Sequence, residues 1–182
     1  MSKGDFTMGS VLSDSWGKVK VDMGNNLIIS LIFWAMNYFL SGVWIIIGGP
    51  MSYGFYGAML DAQRGKKPEI GRLFSGFSLF LTTFLALIIV GIFVLIWTLP
   101  FMILLIIPGI ITMILAILRY SMTFLVLNDN PEMKPNQARK RSVEITKGHK
   151  GKIFIYMIIS IIPVFGTMVF GAAMANLYDR VK

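Results

Sequence analysis

The sequence predicts an all-α fold, a polytopic bundle of transmembrane helices, and three observations support this prediction. The 182 residues are 55% hydrophobic and only 14% charged, whereas an average soluble domain is roughly 25% charged. A soluble domain of this length has too little interior to bury so much apolar surface. Charged residues are absent from the stretches 23–60, 73–118 and 153–178, and each stretch is long enough to cross a bilayer.

The first 24 residues are predicted to form an amphipathic segment at the cytoplasmic membrane interface. Met8, Leu12, Trp16 and Val19 fall on one helical face, and a Trp on such a face suits the headgroup boundary. We expect no cleavable signal peptide, because the segment carries three aspartates and lacks an apolar core before a small-residue cleavage site.

Residues 25–182 are predicted to form a single transmembrane domain of six segments, two of them short. Gly48-Gly49-Pro50 should end the first segment, Leu99-Pro100 should form a tight turn, and Pro108-Gly109 should kink the fourth helix. The predicted segments are 27–47, 50–63, 76–98, 101–127, 152–163 and 166–178, with cytoplasmic loops at 64–75 and 128–151.

The distribution of basic residues predicts the orientation of the chain. Segments 1–22, 61–75 and 128–152 hold 3, 4 and 7 Lys and Arg, and the turn at 98–100 holds none. The positive-inside rule therefore places the three basic segments, and with them the N-terminus, in the cytoplasm. We expect a multi-pass protein of a plasma membrane.

The last apolar run, 153–178, leaves two alternatives open. It is long enough for one tilted span, or it folds into a short hairpin that returns Arg180 and Lys182 to the side of the other basic residues. An internal similarity favours the hairpin, because residues 49–60 and 166–177 are identical at five of twelve aligned positions. Both segments are rich in small residues, which allow helices to approach closely in lipid.

Several motifs between residues 104 and 154 resemble one bacterial family. The motifs are IIPGI at 106–110, RYSM at 119–122, DNP at 129–131, Ala138 and Ser142 in the following helix, and GHK at 148–150. This stretch resembles the family catalogued as domain of unknown function 975, and the closing ANLYDRV is similar to that family's ending. The chain departs from the family at Lys134, where a helix-capping hydroxyl is usual, and in its shorter final segment. The resemblance implies a multi-pass protein of the bacterial plasma (inner) membrane and carries no established activity.

Two polar residues lie inside predicted spans. Arg119 is the only charge well inside a span, about 12 Å from the cytoplasmic end of its helix. An intramembrane charge is a candidate functional residue, but Arg119 could instead extend toward the headgroups or pair with Asp61 or Asp129. Asn37 lies in the middle of the first helix, where it could bond across helices or simply pack.

The basic helix and loop before the last apolar run are the most informative surface. Cations near a membrane surface attract anionic headgroups with about 1 kcal/mol each, although ordinary topology marking also accounts for such charges. The candidate contacts to anionic lipid or a membrane protein partner are Arg139, Lys140, Arg141, Lys147, Lys150 and Lys152.

The sequence favours a non-catalytic role. It contains no cysteine, a lone His149, and none of the Gly-rich phosphate loop, HExxH or GxSxG motifs. We therefore expect no catalytic residue, no cofactor and no metal site. Nucleic acid is disfavoured, because the basic residues lie between apolar stretches and not on one soluble face with stacking aromatics.

These observations predict a membrane accessory or scaffold that acts through the lipid bilayer, a membrane protein partner or a homo-oligomer. The alternative is a small transporter or channel, which the internal similarity, the Pro-Gly interruption and Arg119 favour. Against this alternative, no acid lies in the middle of a span to bind a cation or relay a proton.

Overall fold

The structure, a computed structural model, describes residues 7–40, 42–104, 106–160 and 162–182, and all regular structure in them is helical. The prediction of an all-α fold is confirmed. The helices are α1 (Met8–Val21), α2 (Met23–Phe39), α3 (Trp44–Gln63), a 3₁₀ helix (Ile70–Leu79), α4 (Phe80–Leu104), α5 (Ile106–Tyr120), α6 (Thr123–Asp129), α7 (Pro135–Thr146), α8 (Lys150–Ile159) and α9 (Phe165–Val181).

Helix α3 is the centre of the bundle. It packs against α2, the 3₁₀ helix, α4, α6 and α9, and most of its side chains from Gly48 onward are buried. The core forms where α3, α6 and α9 meet, and it includes Met51, Phe55, Met59, Leu125 and Met174. The small residues of α3 and α9 therefore lie in helix–helix contacts.

The glycines of α3 allow this close packing and do not break the helix. Residues 48–50 lie inside α3, which begins at Trp44 after α2 has ended at Phe39, so the predicted break is wrong. A Cβ atom at Gly49 would meet the backbone of Thr83, and one at Gly54 would meet the backbone carbonyl of Leu73. At such positions glycine alone, which has no Cβ, lets two backbones approach this closely.

The prolines of the central hairpin also differ from prediction. Helix α4 continues through Pro100, and Pro108 lies in the first turn of α5, so the turn at 99–100 and the kink at 108 are wrong. Proline is tolerated in a first helical turn, where its missing N–H has no intrahelical acceptor. The chain bends instead at Ser121 and Met122, between α5 and α6.

The two ends of the chain pack on each other. Most of residues 153–178 belong to two helices, α8 and α9, which pack against each other, and this is the hairpin arrangement. Helix α1 packs on α9 and α3 through Val11, Ser15 and Val19, while Leu12 and Trp16 are half-buried. The predicted apolar face of α1 therefore packs on the protein, and Val11 and Ser15 extend its buried side.

Among the residues that the structure describes, two helical stretches are long and apolar enough to cross a membrane, Ile70–Pro100 with 31 residues and Ile107–Asp129 with 23. Only 11% of the most apolar window of the first stretch is buried in the bundle, against 50% for the second. The exposed apolar side chains of α4 and α5 include Leu81, Leu85, Ile92, Leu95, Ile96, Ile107, Ile110, Ile111 and Leu115. The hairpin of α4 and α5 thus presents an apolar surface to its surroundings.

Candidate functional site

Charged residues at the helix ends meet in one ion-pair network. The guanidinium of Arg64, just after α3, donates to both carboxylate oxygens of Asp179, at 3.2 and 2.7 Å, and lies 2.7 Å from Asp129. The ammonium of Lys182 lies 2.8 Å from each of the same two carboxylates. This network joins the C-terminal ends of α3, α6 and α9.

A second set of polar contacts ties α1 to the same end. Arg180 pairs with Asp14 of α1 and donates to the Asn176 side chain at 2.7 Å. The Asn176 amide donates to the Gln63 side chain at 3.1 Å, and the Gln63 amide donates to the Ser15 carbonyl at 3.3 Å. Because buried polar groups require hydrogen-bond partners, this chain of contacts fixes α1 against α3 and α9.

A third set joins the 3₁₀ helix to α3 and α6. The Arg72 guanidinium lies 3.0 Å from the Asp61 carboxylate and donates to the Asn128 side chain at 2.9 Å. The Asn128 amide in turn donates to the Tyr53 carbonyl at 2.9 Å. All three sets lie where α3, α6 and α9 end, so this end of the bundle is polar.

The network perturbs the ionisation of Asp179. Partial burial alone would raise the pKa of this carboxyl, but hydrogen bonds from Arg64 and Lys182 outweigh burial and hold the pKa below its ordinary value. The carboxylate form is therefore the one that the folded chain stabilises. The arrangement is suited to holding the ends of these helices together.

Arg119 lies outside the network. Its guanidinium stands over the Trp97 ring, 5.1 Å from the centroid. The two acids predicted as partners, Asp61 and Asp129, pair with other basic residues. Of the alternatives for Arg119, pairing with one of these two acids is therefore not the one observed, and Trp97 supplies a cation–π contact.

Arg119 and Lys150 line a common cavity of about 150 Å³ between α4, α5 and α8. The other lining residues are Trp97, Thr112, Leu115 and Ala116. No carboxylate among the described residues pairs with either cation. The cavity therefore carries uncompensated positive charge beside an apolar wall.

Arg139 does not lie on the predicted basic surface. Its side chain is buried, at 9% exposure. The guanidinium lies 3.7 Å from the Phe93 ring centroid and 5.7 Å from that of Tyr120, and it donates to the Asn136 side chain. Arg139 thus anchors α7 to α4 and α5, which corrects its prediction as a lipid or partner contact.

The other predicted cations retain varying exposure. Lys140, Arg141 and Lys147 are exposed on and just after α7, and Arg141 pairs with the exposed Glu144 at 2.9 Å. Lys150 and Lys152 are half-buried. We define the basic face as Lys140, Arg141 and Lys147, and its contact with lipid or a partner stays a prediction.

The remaining candidates are accounted for locally. The Asn37 amide donates to the Phe33 carbonyl of its own helix at 3.2 Å. Burial, and then the charge of Lys152, lower the pKa of His149. In the part of the chain that the structure describes, no three His, Asp or Glu side chains are grouped to hold a metal.

A larger cavity of about 500 Å³ lies at the corner between α1 and α2. It is lined by three positively charged residues, Lys18, Lys66 and Lys67, and by one negatively charged residue, Asp22. The Asn26 amide closes this corner by donating to the carbonyls of Val19 and Asp22.

The ion-pair network was not predicted from the sequence. Its members Arg64, Asp129, Asp179 and Lys182 all lie within a few residues of the end of an apolar stretch, which is the one signal that could have identified them. That signal does not say which ends meet. No family model, no curated protein and no solved structure matches this chain.

Proposed function

We propose that the chain is an integral protein of the bacterial plasma membrane, of the family of unknown function 975, and that it acts as a non-catalytic accessory. In this proposal the basic face binds anionic headgroups or a membrane protein partner. The observation that carries it is the exposed apolar hairpin of α4 and α5, which stands directly beside exposed cations of α7.

The exposure of α4 supports placement in lipid. An apolar helix in the core of a soluble protein is mostly buried. In the stretch Ile70–Pro100, by contrast, only 11% of the most apolar part is buried in the bundle. Leaving apolar area in water costs about 25 cal/mol per Å². The 25 residues of α4 extend roughly 37 Å as a helix, enough to cross the ~30 Å hydrocarbon core.

The ion-pair network supports one orientation. It brings the segments after α3 and α6, the residues that end α9, and α1 to the same end of the bundle. These segments contain most of the basic residues, so the positive-inside rule places this end and both chain termini in the cytoplasm. The helix pairs α2 and α3, α4 and α5, and α8 and α9 then each enter the membrane and return to the cytoplasmic side. The 10 residues of α8 extend only about 15 Å, as expected for a short segment.

The basic face supports a role in contacts. Helix α7 packs against α4, α5 and α6, and its Arg139 contacts Phe93 in the middle of α4, so the exposed cations of α7 lie beside the apolar hairpin. Cations at this position attract anionic lipid with about 1 kcal/mol each, and they can equally pair with acids of a partner.

We expect neutralisation of the basic face to remove these contacts. The variant Lys140→Gln, Arg141→Gln, Lys147→Gln and the native chain are extracted from native membranes in lipid nanodiscs, and proteins and lipids are identified by mass spectrometry. The native chain should retain a stoichiometric partner or enriched anionic lipid, and the variant should retain at least about tenfold less, since three charges are lost.

The matched control removes three exposed cations elsewhere, through Lys18→Gln, Lys66→Gln and Lys67→Gln. It should retain the same partner and lipid as the native chain. Recovery of the native chain alone, with bulk lipid only, would contradict the accessory role. Reconstituted flux assays with Arg119→Ala would then test the transporter alternative.

A further inference from the structure

We infer that the cavity between α4, α5 and α8 binds one anionic phospholipid, with its phosphate between Arg119 and Lys150. This inference rests on the proposed membrane placement and names the lipid and its site. It assigns Arg119 a ligand-binding role in place of the ion pair that the structure excludes.

The charge of the cavity lining is complementary to an anion. Arg119 and Lys150 come from different helices and line one cavity, and among the described residues neither has an acidic partner. Two like charges that share a half-buried cavity repel each other, so an anion between them is favoured. A guanidinium also matches the fork geometry of a phosphate.

The second argument is that Arg119 is held in place. Its guanidinium is stacked over the Trp97 ring at 5.1 Å. Its carbonyl accepts hydrogen bonds from the hydroxyls of Ser142 at 3.0 Å and Thr146 at 3.3 Å, both on α7. A cation held in this way loses little further freedom when it binds a ligand, which favours affinity.

The third argument distinguishes a lipid from a free phosphate. The apolar wall of the cavity runs along α5 from Ala116 and Leu115 to Thr112, and Thr112 lies about 10 Å from Arg119 toward the start of α5. The wall continues into the exposed side chains of Ile111 and Ile107. A volume of about 150 Å³ accommodates the phosphate group, while the acyl chains extend along this apolar surface.

The test uses the full-length protein in vesicles of phosphatidylethanolamine and phosphatidylglycerol. The probe is a phosphatidylglycerol with a photoreactive group in its acyl chain, and crosslinked peptides are identified by mass spectrometry. We expect crosslinks on α5 between Thr112 and Ala116. The double variant Arg119→Gln, Lys150→Gln should reduce them at least about tenfold, since each lost cation weakens anionic-lipid binding by about fivefold.

The matched control is Lys66→Gln, Lys67→Gln, which removes two exposed loop cations and should leave the crosslinks unchanged. Excess inorganic phosphate should compete weakly. Full displacement by inorganic phosphate would overturn the lipid and leave a phosphate site. Equal crosslinking of native and double-variant protein would overturn the site itself. In either case vesicle flotation of the native chain would show that the proposed membrane placement stands, whereas failure to float would sink that placement instead.

Discussion

Replacing Gly54 with alanine is expected to destabilise the bundle by about 3 kcal/mol, at the upper end of overpacking substitutions. The added Cβ would occupy the position of the Leu73 backbone carbonyl, with the Arg72 carbonyl also in contact. Backbone atoms cannot rotate away as a flexible side chain can, so α3 and the 3₁₀ helix must separate. Thermal unfolding in detergent micelles, followed by circular dichroism, measures the effect.

The control is the same substitution at Gly17, in the middle of α1, where an added Cβ meets no atom within 4 Å. Alanine is the better helix former, so Gly17→Ala should raise stability by up to about 1 kcal/mol. A loss of stability at Gly17 similar to that at Gly54 would contradict the account. The effect of Gly54→Ala would then reflect the loss of glycine in general and not a close backbone contact.

Replacing Arg64 with glutamine is expected to lower the free energy of unfolding by about 2 kcal/mol, less than Gly54→Ala. It leaves the carboxylates of Asp129 and Asp179 facing each other with Lys182 as the cation that remains. Breaking a fully buried pair costs about 3–5 kcal/mol, and the 31% exposure of Arg64 reduces that cost. The free energy of unfolding by denaturant, measured in micelles, checks the value.

Two comparisons separate the network from a general loss of charge. Arg141→Gln breaks an exposed pair with Glu144 and should change stability by less than about 1 kcal/mol. The pKa of Asp179 is held below its ordinary value, so its stabilisation is present above the unfolded pKa of about 3.9 and is lost as pH falls through the folded pKa. This acid-dependent loss should shrink in Arg64→Gln. An unchanged acid profile would exclude Arg64 as its cause.

Long apolar stretches were sufficient to predict the helices but not where they end. Glycine and proline predict helix breaks when the chain is considered alone, yet Gly49 and Gly54 of α3 are needed for contacts with Thr83 and Leu73. Those partners are distant in sequence, and no local pattern identifies them. The hairpin of α8 and α9 was favoured from the sequence because it returned the last basic residues to the common side.

For the candidate site, the sequence likewise identified some of the residues but not the contacts between them. Arg119 and Lys150 were both selected for their charge and position, but only the fold brings them to one cavity. Arg139 was assigned to the surface because it lies in a run of cations, and its contacts with Phe93 and Tyr120 bury it. A guanidinium stacked on aromatic rings is compatible with burial, and sequence alone does not show which member of a basic run will be stacked.

We propose that every basic segment and the end of α9 lie on one side of a membrane. The native chain has no cysteine, so single cysteines at Lys66, Lys147 and Lys182 report their side directly. Intact cells are treated with a membrane-impermeant thiol reagent, before and after permeabilisation. We predict that Lys66→Cys, Lys147→Cys and Lys182→Cys are all protected until the membrane is opened. Labelling of Lys182→Cys in intact cells, while Lys66→Cys stays protected, would contradict the account, because the ion-pair network could not then exist.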